Sequence, residues 1–329
     1  MKIKRIVGAA VLIAGLVLLL AIASFLSVPR DNTAAAGMEE TRANGILGEK
    51  ENSIDILVIG DSEAYSSISP LQLWEEKGYT AYVCGTASQR LSYSNILLRR
   101  AFQTQKPKIV ILETLAIYRK MSPGNVALTE IARLFPIFQY HDRWKSYDLK
   151  GLDSGIKYNW TDDYKGYFYS NQVTPAHKTE YMTPTDASSK IAKANRKYIQ
   201  KIKEFCDENG AELILLSTPS PQNWDYESHN GIESLASELG CEYIDLNLMN
   251  DVIKIDWSQD TRDGGDHLNF TGATKVTHYL AEYLSGKGVL SDHRGDERYA
   301  HWNECLAKLN AEAKGTSDKG SDETAEKPK

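Results

Sequence analysis

The sequence predicts a doubly wound, parallel α/β sheet that is preceded by one transmembrane helix. Three observations predict this architecture: an uncharged apolar segment near the N-terminus, short β-branched runs that alternate with helical patterns, and a serine directly after the first run. Short apolar runs bounded by glycine are typical of strands that are buried on both faces. Strands that alternate with helices indicate a parallel sheet covered by helices.

Residues 6–28 carry no charge and are mostly Ile, Val, Leu and Ala. A stretch of this length spans the hydrocarbon core of a bilayer as a helix. The basic cluster in residues 1–5 places the N-terminus inside, which puts the rest of the chain outside. A cleaved signal peptide, with small-residue cleavage sites near Ala23 or Ala36, is the alternative. We predict an uncleaved anchor because the apolar run is longer than a usual signal sequence.

The rest of the chain divides by composition. Residues 29–53 are polar and rich in Ala, Gly and Thr, which predicts a linker. Residues 54–312 carry the strand and helix patterns and form the predicted folded domain. Residues 115–186 interrupt the alternation with many aromatic residues, and a long insertion after a strand is typical of a lid or a substrate-binding wall. The charged residues 313–329 predict a disordered tail.

Five strands and four helices are predicted within the domain. The strands cover residues 54–59, 80–84, 108–114, 212–218 and 242–246. The helices cover residues 90–105, 187–209, 231–239 and 272–286. The helices 187–209 and 272–286 show apolar residues spaced on one face, and Gly210 provides a stop signal after the first of these two.

Composition limits the function. The chain has 329 residues, is 42% hydrophobic and 25% charged, and has a net charge of −6. The absence of a basic block from the folded body argues against a nucleic-acid partner. The four scattered cysteines argue against a disulfide scaffold and a structural zinc site, and we predict no metal or other cofactor. Cys206 and Cys241 form either an extracellular disulfide or buried free thiols, and the sequence leaves both open.

Ser62 is the candidate nucleophile. It follows the first predicted strand and Gly60, and ligands of open α/β sheets bind at the carboxyl ends of the strands. Glycine permits the sharp turn that such a position requires. The alternative is an ordinary strand-to-helix turn in which a serine or Asp61 caps the helix.

His267 is the candidate base. It lies in a glycine-rich polar loop, 261–272, before the last predicted helix. A serine hydroxyl becomes nucleophilic when an imidazole accepts its proton, and an acid must orient that imidazole. Asp263 and Asp266 supply acids in the same loop. The alternative is a loop histidine that caps the following helix.

The motifs resemble those of the SGNH or GDSL hydrolases, which are serine esterases and acyltransferases on a flavodoxin-like, three-layer sheet. Gly60-Asp61-Ser62 matches the first family block, and Asp263…Asp266-His267-Leu268-Asn269 approximates the last. The resemblance implies that Ser62 is the nucleophile and that the backbone N–H groups of Ser62 and Gly85 form an oxyanion hole.

Two positions depart from the family pattern. The third strand ends in Glu113-Thr114, where the family has an asparagine that donates to the oxyanion. Gly264 stands where the family has its acid. Asp263 is one residue too early, and Asp266 is adjacent to His267, where neighbouring side chains of an extended chain point apart. We favour Asp263 as the acid and keep Asp266 as the alternative.

These departures and the anchor resemble the cell-surface acyl-transfer branch, which includes alginate and peptidoglycan O-acetyltransferases and the D-alanine transfer protein of teichoic acid synthesis. The resemblance implies transfer or removal of O-acyl groups, acetyl above all, on a cell-envelope glycopolymer. It also implies a multi-pass membrane-bound O-acyltransferase as partner. A silent polysaccharide- or partner-binding module is the alternative, and a lipase ranks last.

Five residues are predicted to bind substrate. They are Asp61, Glu113, Arg143, Trp144 and Asn269. For Glu113 a structural role at a strand end is equally open, and for Arg143 and Trp144 packing within the insertion is equally open.

Overall fold

The computed structural model describes residues 2–146 and 155–322, with side chains throughout except at 144–146 and 316–322. The α-helices are α1 (Lys2–Ser27), α2 (Thr41–Asn44), α3 (Ser62–Ser67), α4 (Pro70–Lys77), α5 (Leu91–Ala101), α6 (Leu115–Tyr118), α7 (Pro123–Leu134), α8 (Lys193–Glu208), α9 (Tyr226–Leu239), α10 (Asn250–Ile253), α11 (Phe270–Ser285) and α12 (Ala300–Asp322). The strands are β1 (Ile56–Gly60), β2 (Ala81–Gly85), β3 (Ile109–Glu113), β4 (Glu212–Ser217) and β5 (Glu242–Asp245). Short 3₁₀ helices are Gly45–Gly48, Pro136–Phe138, His141–Ser146, Leu246–Leu248 and Glu297–Tyr299.

The chain divides into two compact units. The first comprises Met1–Thr41 and Met121–Trp160, and the second comprises Arg42–Lys120 and Thr161–Lys329. The predicted insertion 115–186 is therefore shared between the two units, because its first and last parts belong to the second.

The first unit contains the apolar helix α1. Among the described residues, α1 is the one helix that is long and apolar enough to cross a membrane, with a mean hydropathy of 3.0 over its best window. A signal sequence near the N-terminus would meet the same criterion, so the choice between anchor and cleaved leader stays a prediction.

The second unit is built on a five-stranded parallel sheet in the order β2-β1-β3-β4-β5. In β1, Ile56 and Val58 pack in a cluster with residues of α3, α4 and α11. Leu57 and Ile59 point to the opposite face, since successive side chains of a strand alternate. Helices α5 and α8 contact β1 and β4 from outside that cluster. The predicted α/β fold, with helices on both faces of a five-stranded parallel sheet, is confirmed.

Side-chain hydrogen bonds explain where two predicted helices differ from the observed ones. Helix α9 begins before its predicted start at residue 231, because the Asp225 side chain accepts a hydrogen bond from the Ser228 N–H (2.8 Å) and starts the helix there. Helix α8 begins after its predicted start at 187. The Asn230 side chain donates to the carbonyls of Thr185 and Ala187 (2.7 Å each), which keeps that segment out of the helix.

Some described elements lie in segments predicted to lack structure. Helix α2 and the 3₁₀ helix Gly45–Gly48 lie within the predicted linker. Helix α12 packs on α4 through Trp302 and Trp74, whose ring centroids are 5.5 Å apart, and its backbone extends to Asp322 inside the predicted tail. Residues 323–329 of that tail lie outside the described part.

Candidate active site

The nucleophile turn connects β1 to α3. Asp61 is the N-cap of α3, where its Oδ1 accepts a hydrogen bond from the Glu63 N–H (3.0 Å). Ser62 is the first residue of the helix. A Cβ added to Gly60 would lie 2.6 Å from the Glu113 Cβ and 2.9 Å from the Ala64 Cβ. Glycine is therefore needed at this point because β3 and α3 approach the turn too closely for any side chain.

Ser62 is close to fully buried, with 8% of its surface exposed. Its neighbourhood contains two guanidinium groups. Burial raises the pKa of Tyr65, whereas the charges of Arg262 and Arg42 and a hydrogen bond with Ser62 oppose that rise. The nucleophile therefore lies near positive charge that was not predicted from the sequence.

Gly85 lies against the nucleophile turn. It pairs with Gly60 in the β1–β2 register, and an added Cβ would lie 3.1 Å from the Asp61 carbonyl oxygen. The N–H groups of the first helical turn, including that of Ser62, have no partner within the helix. The predicted oxyanion role of Ser62 and Gly85 stays a prediction, and their proximity is compatible with it.

The catalytic loop holds His267 on Asp263. Asp263 Oδ2 lies 2.7 Å from His267 Nδ1, and Oδ1 accepts the backbone N–H of His267, also at 2.7 Å. The intervening Gly264 and Gly265 have φ values of +77° and +93°, a region that favours glycine. These two glycines let the chain fold back so that an acid four residues earlier reaches the ring.

Distances, hydrogen bonds and the pKa of Asp263 support Asp263 rather than Asp266 as the acid that orients His267. Asp266 Oδ2 lies 3.6 Å from His267 Nδ1, beyond hydrogen-bond distance, and its Oδ1 accepts a hydrogen bond from Asn223 (2.5 Å). Burial would raise the pKa of Asp263, but the two hydrogen bonds from His267 hold this pKa below its ordinary value. Asp263 is thus an anion fixed on the ring.

The candidate nucleophile Ser62 and the candidate base His267 lie at the same edge of the sheet. His267, Asp266 and Glu63, the residue after Ser62, have side-chain oxygen or nitrogen atoms within 4.8 Å of one another. Among the described residues, no hydrogen bond joins Ser62 Oγ directly to His267. Catalytic hydrogen bonds are often long in ligand-free structures and tighten when substrate binds.

Two buried glutamates accompany the site. Burial raises the pKa of Glu63 well above its ordinary value, and the charge of Asp61 raises it further. Burial also raises the pKa of Glu113, with the charges of Asp61 and Glu63 adding to the effect. Asp61 forms an ion pair with Arg119, whose Nε and Nη2 lie 2.7 and 2.6 Å from Asp61 Oδ2. Asp61 is therefore the ion-paired acid of the cluster, and burial disfavours the ionised form of both glutamates.

Replacing Glu113 by Gln should flatten the pH dependence of stability. Because the folded chain binds the Glu113 proton more tightly than the unfolded chain does, stability is greatest below the ordinary pKa of 4.5 and falls as pH rises through the raised pKa. Glutamine has the same shape and no proton to lose. Thermal denaturation from about pH 5 to about pH 9 measures this. Glu282→Gln, at an exposed acid, is the control, and a slope in Glu113→Gln equal to that of the wild type would contradict the assignment.

An extended part of the insertion, residues 161–176, passes over both site segments. The Phe168 N–H donates to the Tyr65 carbonyl (2.8 Å), and the Thr174 N–H donates to the Thr261 carbonyl (3.0 Å). The guanidinium of Arg262 lies 4.9 Å from the centre of the Phe168 ring. The aromatic residues of this segment, together with Arg262, therefore form a wall beside the candidate nucleophile.

Three of the predicted substrate-binding residues are buried and have internal partners. Both oxygens of Asp61 are bonded as described above. Glu113 Oε1 accepts the Leu115 N–H (2.9 Å). Asn269 caps α11, and its amide donates to the carbonyls of Gln172 and Gln259. Their contact with substrate stays a prediction.

The other two belong to the first unit. Arg143 donates a hydrogen bond to the Ser27 carbonyl within that unit. The side chain of Trp144 lies outside the described part of the chain. The contact of Arg143 and Trp144 with substrate stays a prediction.

Four functional candidates were missed from the sequence: Glu63, Arg119, Asn223 and Arg262. Asn223 Nδ2 joins the two halves of the site, because it donates to Glu63 Oε1 (2.8 Å) and to Asp266 Oδ1. It follows β4, and polar residues after a strand are the one signal that could have identified it. No comparable feature of the sequence pointed to Arg119 or Arg262 as functional residues.

The described residues also offer two groups of possible metal ligands. One is Glu63, Asp266 and His267, and the other is the surface group Glu76, His278 and Glu282. A cation bound by the first group would coordinate the His267 imidazole. It would then compete with the predicted role of that imidazole as the base for Ser62. All four cysteines are free, and Cys206 is buried while Cys241 is half-buried.

Comparisons with known proteins give a fold-level similarity. No family model matches the chain, and no curated protein matches it. Among solved structures it is similar to the psychrotrophic esterase EstA from Pseudoalteromonas sp. (10% identity, TM-score 0.39, 70% of this chain and 97% of that one). It is also similar to a lipase/acylhydrolase from Enterococcus faecalis (10%, 0.39, 73% and 98%) and a GDSL-like lipase from Bacteroides thetaiotaomicron (11%, 0.35, 70% and 88%). The assignment of function therefore rests on the side chains of this chain.

Proposed function

We propose that this protein is a membrane-anchored, serine-dependent acyl-ester enzyme that works outside the cytoplasm. The observation that carries the proposal is the Asp263–His267 pair, whose 2.7 Å contact is built into a loop at the same sheet edge as Ser62. An acid, an imidazole and a buried serine at one edge are the parts that acyl transfer through serine requires.

In this mechanism Ser62 Oγ attacks an acyl carbonyl carbon while His267 Nε2 accepts the hydroxyl proton. Asp263 fixes the opposite ring nitrogen and stabilises the imidazolium that forms. The N–H groups of Ser62 and Gly85 stabilise the oxyanion, and each such donor typically contributes about 3 kcal/mol to lowering the barrier. The imidazolium then returns its proton to the leaving alcohol, and a second hydroxyl or water takes the acyl group from Ser62.

The acids near His267 have opposite protonation preferences, which supports distinct roles. Hydrogen bonds from His267 hold the pKa of Asp263 low, whereas burial holds that of Glu63 high. Burial of Glu63 disfavours the carboxylate form that would compete with Asp263 for the imidazolium. Pairs of acids whose environments separate their pKa values in this way are typical of acid–base active sites.

The proposed substrate is an O-acylated glycopolymer of the cell envelope, with acetyl as the acyl group. The aromatic wall of residues 161–176 suits sugar rings, and Arg42 and Arg262 suit an anionic polymer. The apolar helix α1 would hold the enzyme near such a polymer and beside a multi-pass membrane-bound O-acyltransferase that supplies acyl groups. Transfer to a sugar hydroxyl competes with hydrolysis, and exclusion of water by the wall favours transfer.

One observation favours a second candidate, a silent module that binds polysaccharide or a partner. Ser62 and His267 are not directly hydrogen-bonded among the described residues, which is what a site without an activated nucleophile would show.

Labelling with a serine-directed fluorophosphonate distinguishes the two functions. We expect the full chain in detergent to be labelled at Ser62 and to release acetate from an acetylated glycan. Adding an unacetylated oligosaccharide should divert acetyl groups to it if transfer is the main reaction. A full chain that is folded and binds glycan, but is neither labelled nor active, would establish the silent module.

A further inference from the structure

Helix α7 of the first unit exposes its apolar face. Leu128, Ile131 and Leu134 lie on one side of the helix and are 62%, 39% and 61% exposed. The 3₁₀ helix that follows exposes Phe138 by 48%. The apolar side of a surface helix normally packs against the protein core. In α7 this side is exposed to solvent instead.

The opposite side of α7 is polar. Asn125, Thr129 and Arg133 lie there, and Arg133 Nε donates to Glu130 Oε2 at 2.9 Å. The helix therefore has its large side chains Leu128, Ile131 and Leu134 on one side and most of its polar residues, together with Val126, on the other. This separation, on a short helix with no buried residue, is typical of helices that lie in the plane of a membrane surface.

Contacts within the first unit place the 3₁₀ helix Pro136–Phe138, which follows α7 and packs on it, beside the end of α1. The Ile137 N–H, just after α7, donates to Ser24 Oγ (3.4 Å), and Arg143 donates to the Ser27 carbonyl. Ser24 and Ser27, in the last turns of α1, are buried by this packing. The C-terminal end of α7, which carries Leu134, is thus connected to a segment that packs on the last turns of α1.

The remainder of α1 indicates which occupant covers this face. Its apolar side chains are exposed along the helix, including Leu19 and Phe25, and only lipid is suited to cover them on all sides. Arg30 lies 4.6 Å from the Phe25 ring centre, as expected for a cationic and aromatic pair at the boundary between lipid and water.

We infer that α7 is a second membrane-contacting element, which lies on the bilayer surface with Leu128, Ile131 and Leu134 at the boundary of headgroups and acyl chains. This inference rests on the proposed membrane anchoring by α1. It assigns the first unit as a membrane-bound module made of one spanning and one interfacial helix.

Site-directed fluorescence in vesicles tests the inference with the full chain. An environment-sensitive fluorophore is attached to Leu128→Cys or to Asn125→Cys, which lies on the polar face. Both are made in a Cys241→Ser background, because the other three native thiols are buried. Vesicles of phosphatidylcholine and phosphatidylglycerol carry a nitroxide either near the headgroup or near the end of the acyl chain. Leu16→Cys in α1 reports whether that helix is in the bilayer, and circular dichroism checks that each variant is folded.

We expect the headgroup-level nitroxide to quench the label at residue 128 at least about twofold more than the label at residue 125. The label at residue 16 should be quenched more by the deep nitroxide. Quenching at 16 with equal, weak quenching at 128 and 125 would overturn the inference and leave the anchor in place. A label at 128 that is shielded from an aqueous quencher but not reached by either nitroxide would indicate a protein surface and also overturn it. Failure of quenching at 16 would refute the anchor together with the inference.

Discussion

Ser62→Ala should reduce turnover of an acetyl-ester reporter by roughly 10⁴- to 10⁶-fold while the protein stays folded. The proposed acyl intermediate forms on Ser62 Oγ, and removing that atom leaves His267 with no hydroxyl to activate. Steady-state kinetics with the full chain in detergent measure the loss, and fluorophosphonate labelling should disappear with it.

Ser67→Ala is the matched control. Ser67 lies in the same short helix and is also buried, and its hydroxyl has no hydrogen-bond partner among the described residues. We expect this variant to keep wild-type turnover and labelling. Turnover that is unchanged in Ser62→Ala would remove Ser62 from the mechanism and leave the α/β domain without its proposed nucleophile.

Asp263→Asn should lower the turnover number by about 10³-fold or more. Both oxygens of Asp263 contact His267, one at the ring and one at the backbone N–H. An asparagine in this position presents either its NH₂ group or its oxygen to the His267 ring. With the oxygen toward the ring, it still lacks the negative charge that stabilises the imidazolium. With the NH₂ group toward the ring, His267 is held in the wrong tautomer and cannot accept the serine proton.

Asp266→Asn provides the comparison. Its oxygen is 3.6 Å from the ring nitrogen, so we expect a loss below about tenfold. The ratio of the two losses therefore identifies the orienting acid. A larger loss in Asp266→Asn than in Asp263→Asn would reverse the assignment, and equal small losses would show that neither acid supports His267.

Much of the fold followed from the sequence because the strands carry their own signal. Within the predicted strand 108–114, residues Ile109–Glu113 form an unbroken buried run, which is what a central strand of a parallel sheet requires, and they form β3. Helices α3 and α4 were not predicted. They are short, and their residues pack on the sheet and on α11, so their stability comes from tertiary contacts that no local periodicity records.

The sequence by itself determined that Ser62 and the loop 261–272, with its acids and His267, lie at one edge of an α/β sheet. The reason is that the loops after parallel strands all lie at the carboxyl edge of the sheet. Only the tertiary structure decided which acid reaches His267, since that depends on Gly264 and Gly265 adopting positive φ values. It also decided that Glu63 and Glu113 are buried, which raises their pKa values, and that Asn223 lies between Glu63 and Asp266. These are properties of side chains distant in sequence, whose burial and charges exist only once the chain has folded.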